Sequence, residues 1–449
     1  MMDIQFLAVP YRLVWENWER FNGAQDNPTD TTDYLIPTIS PPVGGYPVGS
    51  VYDHMGLPTE TEGFTHSALP LRAMNLCYRE WYRDENLIDS PEVPLGDGPD
   101  DPALYSLFKR GKRKDYFTSA LPWPQKGEAV DLPLGTSAPI YGTGDFDDVT
   151  DVNSRITVND LNGNKRAINV TSTTLAYGSA DSSGLNELRA DLEDATAATI
   201  NSLRTAFQIQ KLIERDARGG TRYVEILKSH FNVTSPDFRL QRPEVLSTGR
   251  LNININPVAQ TTPTGIVPDV TPQGNLAAIG TVGGSKGGFS KSFVEHSIII
   301  GFLSVRADLT YQKTLNRMWS RSTRYDFFWP ALSHLGEQEI LNKEIFCQGT
   351  AADDQVFGYI PRYDEYRYKP SLITGQFRSS FAQSLDAWHL SQDFANLPVL
   401  NEEFINENPP VDRIVAVPTF PNFILDSYIQ LRCARPMPLF AVPGLIDHF

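Results

Sequence analysis

From Leu303 to Tyr311, the residues Leu303, Val305, Ala307, Leu309 and Tyr311 alternate with Ser304, Arg306, Asp308 and Thr310. This is the period-2 pattern of a half-buried β-strand, and a helix cannot gather such a set on one face. The pattern recurs as Leu425, Ser427, Ile429, Leu431 and Cys433 against Asp426, Tyr428, Gln430 and Arg432. Shorter versions cover 412–417, 355–360 and 252–256, each meeting a proline at Pro418, Pro361 or Pro257. Long connections rich in proline and glycine separate these segments, with few regular helices between them. A mainly β fold is expected, an antiparallel sandwich or jelly roll rather than βαβ units.

One helix is legible. From Leu185 onward, Leu188, Leu192, Ala195, Ile200, Leu203, Phe207 and Leu212 recur at helical steps, and Gly219-Gly220 supplies the stop. Between Gly127 and Gly184 the chain turns polar and glycine-rich. There 155–159 and 167–171 flank Asp160-Leu-Asn-Gly-Asn164, a hairpin with an Asn-Gly turn. The expected division is 1–127 as an N-terminal part with loops, 128–185 as a surface insertion and 186–220 as a helix. The remainder, 221–449, carries long loops and C-terminal strands.

A catalytic constellation is not evident. The seven histidines show no His-Glu-x-x-His spacing, and neither Gly-x-Ser-x-Gly nor a phosphate-loop spacing occurs. The carboxylate pairs Asp353-Asp354 and Glu402-Glu403 read as solvated neighbours. Three cysteines, Cys77, Cys347 and Cys433, are too few for a disulfide framework or a zinc knuckle. No cofactor or metal is expected. No apolar run approaches the length of a membrane span, so no membrane insertion is expected. The net charge of −15 argues against a surface that coats nucleic acid throughout. One run departs from that acidity: Lys109, Arg110, Lys112, Arg113 and Lys114, followed by Tyr116 and Phe117. It suits phosphate contact with base stacking nearby. A solvated basic loop, or one pairing with acids across a subunit interface, suits it at least as well.

Longer words carry a family resemblance. The segments 115–127, from Asp115-Tyr-Phe-Thr to Gln-Lys-Gly127, and 220–231 closely resemble the major capsid protein of the Microviridae. The likeness is to the gokushovirus branch of small single-stranded DNA phages. Segments 318–326, 387–394, 434–438 and 443–449 do the same, and the likeness begins at Val9-Pro-Tyr-Arg-Leu-Val-Trp15.

The resemblance implies a viral jelly roll with long inserted loops, assembled from copies of itself into a T=1 icosahedral shell around single-stranded DNA. It implies no enzymatic activity and a place in the virion, with assembly in the bacterial host cytoplasm. Further partners implied are a small basic DNA-binding phage protein and a host surface receptor. The basic run at 109–114 is then expected to meet DNA, and Asp160, Asn162, Gly163 and Asn164 to form a host-facing tip. Subunit contacts are expected at Trp15, Trp18, Trp81, Trp319, Arg321, Arg324 and Tyr325, since Trp, Tyr and Arg dominate protein interfaces. A large share of the aromatics of 10–25, 64–90 and 316–330 should therefore be exposed in a single subunit. Family members carry a long segment ahead of the motif seen here at 6–15. The jelly roll is accordingly expected to lack its first strands, leaving the strand at 423–433 with an open edge. A jelly-roll carbohydrate-binding module is the alternative function, and a β-sandwich glycosidase a more distant one.

Overall fold

A computed structural model describes residues 1–31, 33–128, 130, 156–159, 165–171, 174–177, 200–220, 223–234, 241–259, 276–415, 417 and 419–435. Small antiparallel sheets dominate it. The strands are β1 (Met2–Pro10), β2 (Thr38–Ile39), β3 (His66–Ser67), β4 (Ile156–Asn159), β5 (Lys165–Thr171) and β6 (Thr174–Tyr177). They continue with β7 (Glu244–Leu251), β8 (Asn254–Ala259), β9 (Leu276–Thr281), β10 (Ser297–Val305), β11 (Glu337–Leu341) and β12 (Val356–Pro361).

The central sheet has the order β10-β1-β7. Strand β1 aligns Met2 with Val305 on one side and with Leu251 on the other, with a bulge between Phe6 and Leu7. Its alternation places Leu7 and Val9 inward with Ile300, against Leu69, Ala73 and Leu76 of the helix Leu69–Trp81. On the opposite face, Phe6 lies over Gly301: a Cβ there would sit 2.9 Å from the ring, so only glycine leaves room. A second core gathers Tyr116, Phe117, Ile340, Ile345, Phe357 and Phe404 around the β11–β12 pair. The third holds Ile39, Tyr46, Tyr52 and Leu71, with the Tyr46 and Tyr52 rings stacked at 3.7 Å.

Several expectations are met. Strand β12 occupies the segment expected at 355–360, and β4 pairs with β5 with Asn159 opposite Lys165. A helix runs Ile200–Gly219, ending where the glycine pair predicts; 185–199 lies outside the described residues.

Other expectations are corrected. The strand read at 303–311 instead spans Ser297–Val305. The Arg306 N–H still donates to the Met1 carbonyl at 2.9 Å, and the chain leaves the sheet at the next residue, where the Ala307 N–H turns to the Glu407 carboxylate at 3.3 Å. Of the segment 412–417, the described residues 412–415 begin in a helical turn, Val411–Arg413, and form no strand. Pro409 and Pro410 precede it; they fix φ and offer no N–H to a ladder. The segment 423–433 belongs to no strand, and its residues are all exposed. Alternation needs a partner strand to become a sheet, and no described part of this chain supplies one.

The helix Leu69–Trp81 was not anticipated. It buries Leu69, Leu71, Ala73, Met74, Leu76, Cys77 and Tyr78, with Arg72 and Asn75 among them. Its apolar residues do recur at helical steps, Leu69, Ala73 and Leu76 toward the first core and Leu71 and Met74 toward the third, so the signal lies in the sequence.

Candidate assembly surface

Residues 316–330 form short helical turns at Arg317–Trp319 and Arg324–Asp326. The second turn is held by one carboxylate. Asp326 accepts from the Ser322 N–H at 3.0 Å, the Thr323 N–H at 2.7 Å and the Thr323 hydroxyl at 2.9 Å. These bonds, the Thr323 backbone first, hold its carboxyl below the usual range. The first turn is anchored inward. Arg317 donates to Glu344 at 2.9 Å and to the Glu339 carbonyl at 2.6 Å, and Glu344 also accepts from the Tyr116 hydroxyl at 2.9 Å. Burial raises the Glu344 pKa, against the pull of Arg317.

The backbone of 325–329 is tied to the loop after β12. The Phe328 N–H donates to the Tyr366 hydroxyl at 3.2 Å, and the Trp329 N–H to the Tyr363 hydroxyl at 3.3 Å. Tyr363 donates in turn to the Phe327 carbonyl at 3.1 Å, and Arg362 to the Tyr325 carbonyl at 3.3 Å. Tyr363 adopts φ +69°, a left-handed conformation costly for a bulky residue, and so aims its ring under this segment.

With the main chain tied back at these points, the rings face outward: Trp319 is 72% exposed, Tyr325 59%, Phe328 54% and Trp329 45%. Arg324 stacks on Tyr325 at 5.2 Å and Trp329 at 5.6 Å, and the Trp329 indole donates to the Arg324 carbonyl at 2.8 Å. Arg321 lies over Tyr366 at 4.3 Å. Beside this platform, a cleft of about 900 Å³ lies between Phe207 and Lys211 of the helix Ile200–Gly219 and Phe328, Arg362, Tyr366 and Arg367. The result is a rigid aromatic and arginine surface whose ordering cost has been met within the subunit, the property that favours tight association.

The other anticipated contact residues divide. Trp15 is fully buried, with Trp18 and Phe21 packed on it at ring distances of 6.2 and 5.3 Å. It is core, not surface, because β1 and the helix Leu69–Trp81 close over it. Of the three segments expected to be exposed, 316–330 is, whereas 10–25 and most of 64–90 pack within the chain. Trp81 keeps 40% exposure, with Arg242 over its ring at 4.7 Å and its indole donating to the Pro243 carbonyl.

The basic run is largely engaged inside the chain. Arg110 donates to Asp3 at 3.0 Å and to Ser304 at 2.8 Å, while Arg113 pairs with Asp308 and Lys114 with Asp84. Arg250 and Arg306 complete a ring of arginines around Asp3, whose carboxyl is held low although burial opposes the shift. Lys112 is buried, donating to Gln392 at 3.0 Å and lying 4.3 Å over the Phe404 ring. Lys109 remains exposed. The tip residues Asp160, Asn162, Gly163 and Asn164 lie outside the described residues.

Burial pushes the Lys112 ammonium down to about 8 from 10.5. Between those values the unfolded chain holds a proton that the folded chain has released, so the Lys112 contribution makes stability rise with pH across that window. Lys112→Met is expected to be at least as stable at pH 7 and to remove that rise. Denaturant midpoints of both proteins from pH 7 to 10.5 check it, and parallel curves would refute it.

The acid pairs divide. Asp353 is buried and accepts from the Gln348 N–H at 3.0 Å and the Gly349 N–H at 2.7 Å, whereas Asp354, Glu402 and Glu403 are exposed, as the sequence suggests. Among the described residues, no group of three His, Cys, Asp or Glu is arranged to hold a metal ion, and no helix is long and apolar enough to cross a membrane.

Comparison with known proteins is extensive. The family described as Capsid protein (F protein) matches residues 1–445. The capsid protein VP1 of Bdellovibrio phage phiMH2K is 52% identical, over 100% of this chain and 86% of its own length. VP1 of Chlamydia phage 1 is 44% identical over 99% of this chain and 86% of its own. VP1 of Spiroplasma virus 4 is 34% identical, over 99% of this chain and 85% of the relative.

Proposed function

From the premise that the chain belongs to the phage capsid F-protein family, as a structural, non-enzymatic virion subunit that self-assembles, we propose that its copies close a T=1 shell around single-stranded DNA through the 316–330 platform. The observation that carries this reading is that the platform's turns are tied down at Arg317, Asp326, Phe328 and Trp329 while its rings stand in solvent. Monomeric proteins rarely leave so large a rigid apolar patch uncovered. Trp319, Arg324 and Tyr325 are its centre, with Arg321 as a support beneath and Trp18 and Trp81 at secondary contacts. A carbohydrate-binding module is not favoured.

The finer architecture follows the same reading. Strand β1 pairs with two strands from distant parts of the chain, the long-range connectivity of a jelly roll rather than a meander. We read the central sheet as one wall of it. The segments 1–127, 128–185, 186–220 and 221–449 then act as first wall, insertion, helix and remainder. Lys109 is the member of the basic run proposed to meet phosphate. An acidic subunit calls for a small basic protein to neutralise the genome. The hairpin β4–β5 is proposed to carry the tip toward a host receptor, and assembly to occur in the bacterial cytoplasm.

Trp319→Ala combined with Tyr325→Ala tests the platform. The subunit should unfold within about 0.5 kcal/mol of the parent, as surface changes do. Particle yield by electron microscopy should fall at least tenfold. Normal particles from the double variant would refute the assignment.

A further inference from the structure

Residues 419–435 combine three properties. All of them are exposed, including Phe420 at 70%, Ile424 at 99%, Tyr428 at 90%, Ile429 at 67% and Leu431 at 70%. They retain the strict alternation of a half-buried strand from Leu425 to Cys433. They belong to no described sheet.

The same chain has a matching vacancy. Strand β10 lies at the edge of the central sheet, and none of the described residues pairs with its outer side. Its own alternation sends Ile300 into the core, where Ile298 and Phe302 are only partly covered, and leaves Ile299 and Leu303 in solvent. An added strand could cover Ile298 and Phe302 with its Leu425, Ile429 and Leu431 row and set Ile424 and Tyr428 on the face of Ile299 and Leu303.

We infer that the segment 419–435 of one copy adds as a strand to the free edge of β10 in a second copy, a head-to-tail contact that links subunits in the shell. The inference rests on the capsid reading and specifies one of its interfaces. A strand donor and a strand acceptor on one chain, unpaired with each other, form a heterologous contact that closes through rotation. Reach permits it: seventeen residues drawn out as a strand span about 55 Å, against a radius of gyration of about 22 Å for a compact chain of this length. With its apolar side chains covered, such an arm buries on the order of 800 Å² on its own side, the size of a stable interface.

Two variants of the full chain and one cross-link test this. Ile429→Pro removes an N–H from the added strand and cannot extend a ladder. It should leave the unfolding midpoint of the subunit unchanged and lower particle yield at least tenfold, while Ile429→Val assembles normally. A photoreactive residue at position 429, in particles made from mixed light and heavy isotope-labelled subunits, should cross-link to 297–305 of another copy. Cross-links confined to one copy, cross-links to another surface, or normal particles from Ile429→Pro would each overturn the inference. If the parent chain itself forms no particles, the capsid reading falls first and the inference with it. Particles from both parent and proline variant would remove only the inference.

Discussion

Arg72→Ala is expected to destabilise the isolated subunit by about 3–5 kcal/mol, a large share of the stability of any domain. Arg72 is fully buried in the first turn of the helix Leu69–Trp81. Its Nε donates to Asp100 at 2.7 Å, a second nitrogen donates to the other carboxylate oxygen, and Nη1 donates to the carbonyls of Val14 and Gly96 at 3.0 and 2.9 Å. Truncation strands a buried carboxylate and two carbonyls together. Tyr105 also donates its hydroxyl to Asp100, and burial, reinforced by that carboxylate, holds its pKa far above the usual value. This one guanidinium joins the first core to the third, so both should loosen. Chemical denaturation of the purified subunit measures the loss. Removing both charges, as Arg72→Met with Asp100→Leu and Tyr105→Phe, should recover most of it, because well-packed apolar groups replace buried ion pairs at little cost. An unchanged midpoint for Arg72→Ala alone would contradict this account.

Trp15→Ala should cost a comparable amount, about 3–5 kcal/mol, through the cavity left among Leu7, Val14, Leu69 and Phe21. The indole N–H also donates to Asp97 at 2.8 Å, a bond the alanine cannot make. The effect should be present in the free subunit and independent of assembly. That separates Trp15 from Trp319, whose loss should spare the subunit and lower particle yield. Trp15→Phe should fall between the parent and the alanine variant. Equal stability of Trp15→Ala and parent would return Trp15 to the list of contact residues.

These two tryptophans show how far a sequence reaches. Residue type marks both as interface anchors, and nothing local distinguishes them. Trp15 follows directly on β1 and falls under the helix Leu69–Trp81, while Trp319 sits on a turn whose backbone is already satisfied. The basic run makes the same point. Five cations in six positions read as a phosphate patch, yet the acids that meet them come from Asp3, Asp84 and Asp308, far away in the chain.

What the amino-acid order determined alone is the β character, the helix ending at Gly219, the β4–β5 hairpin, the lack of catalytic motifs and the family to which the long words belong. Those rest on local patterns, which neighbours in the chain specify. Tertiary structure decided which alternating segments became strands. Val356–Pro361 found β11 as a partner, whereas 423–433 found none among the described residues. It also decided where Lys112, Arg72 and Trp15 lie relative to solvent. Pairing and burial depend on groups brought together across hundreds of residues, and a period or a charge run carries no information about which distant partner arrives.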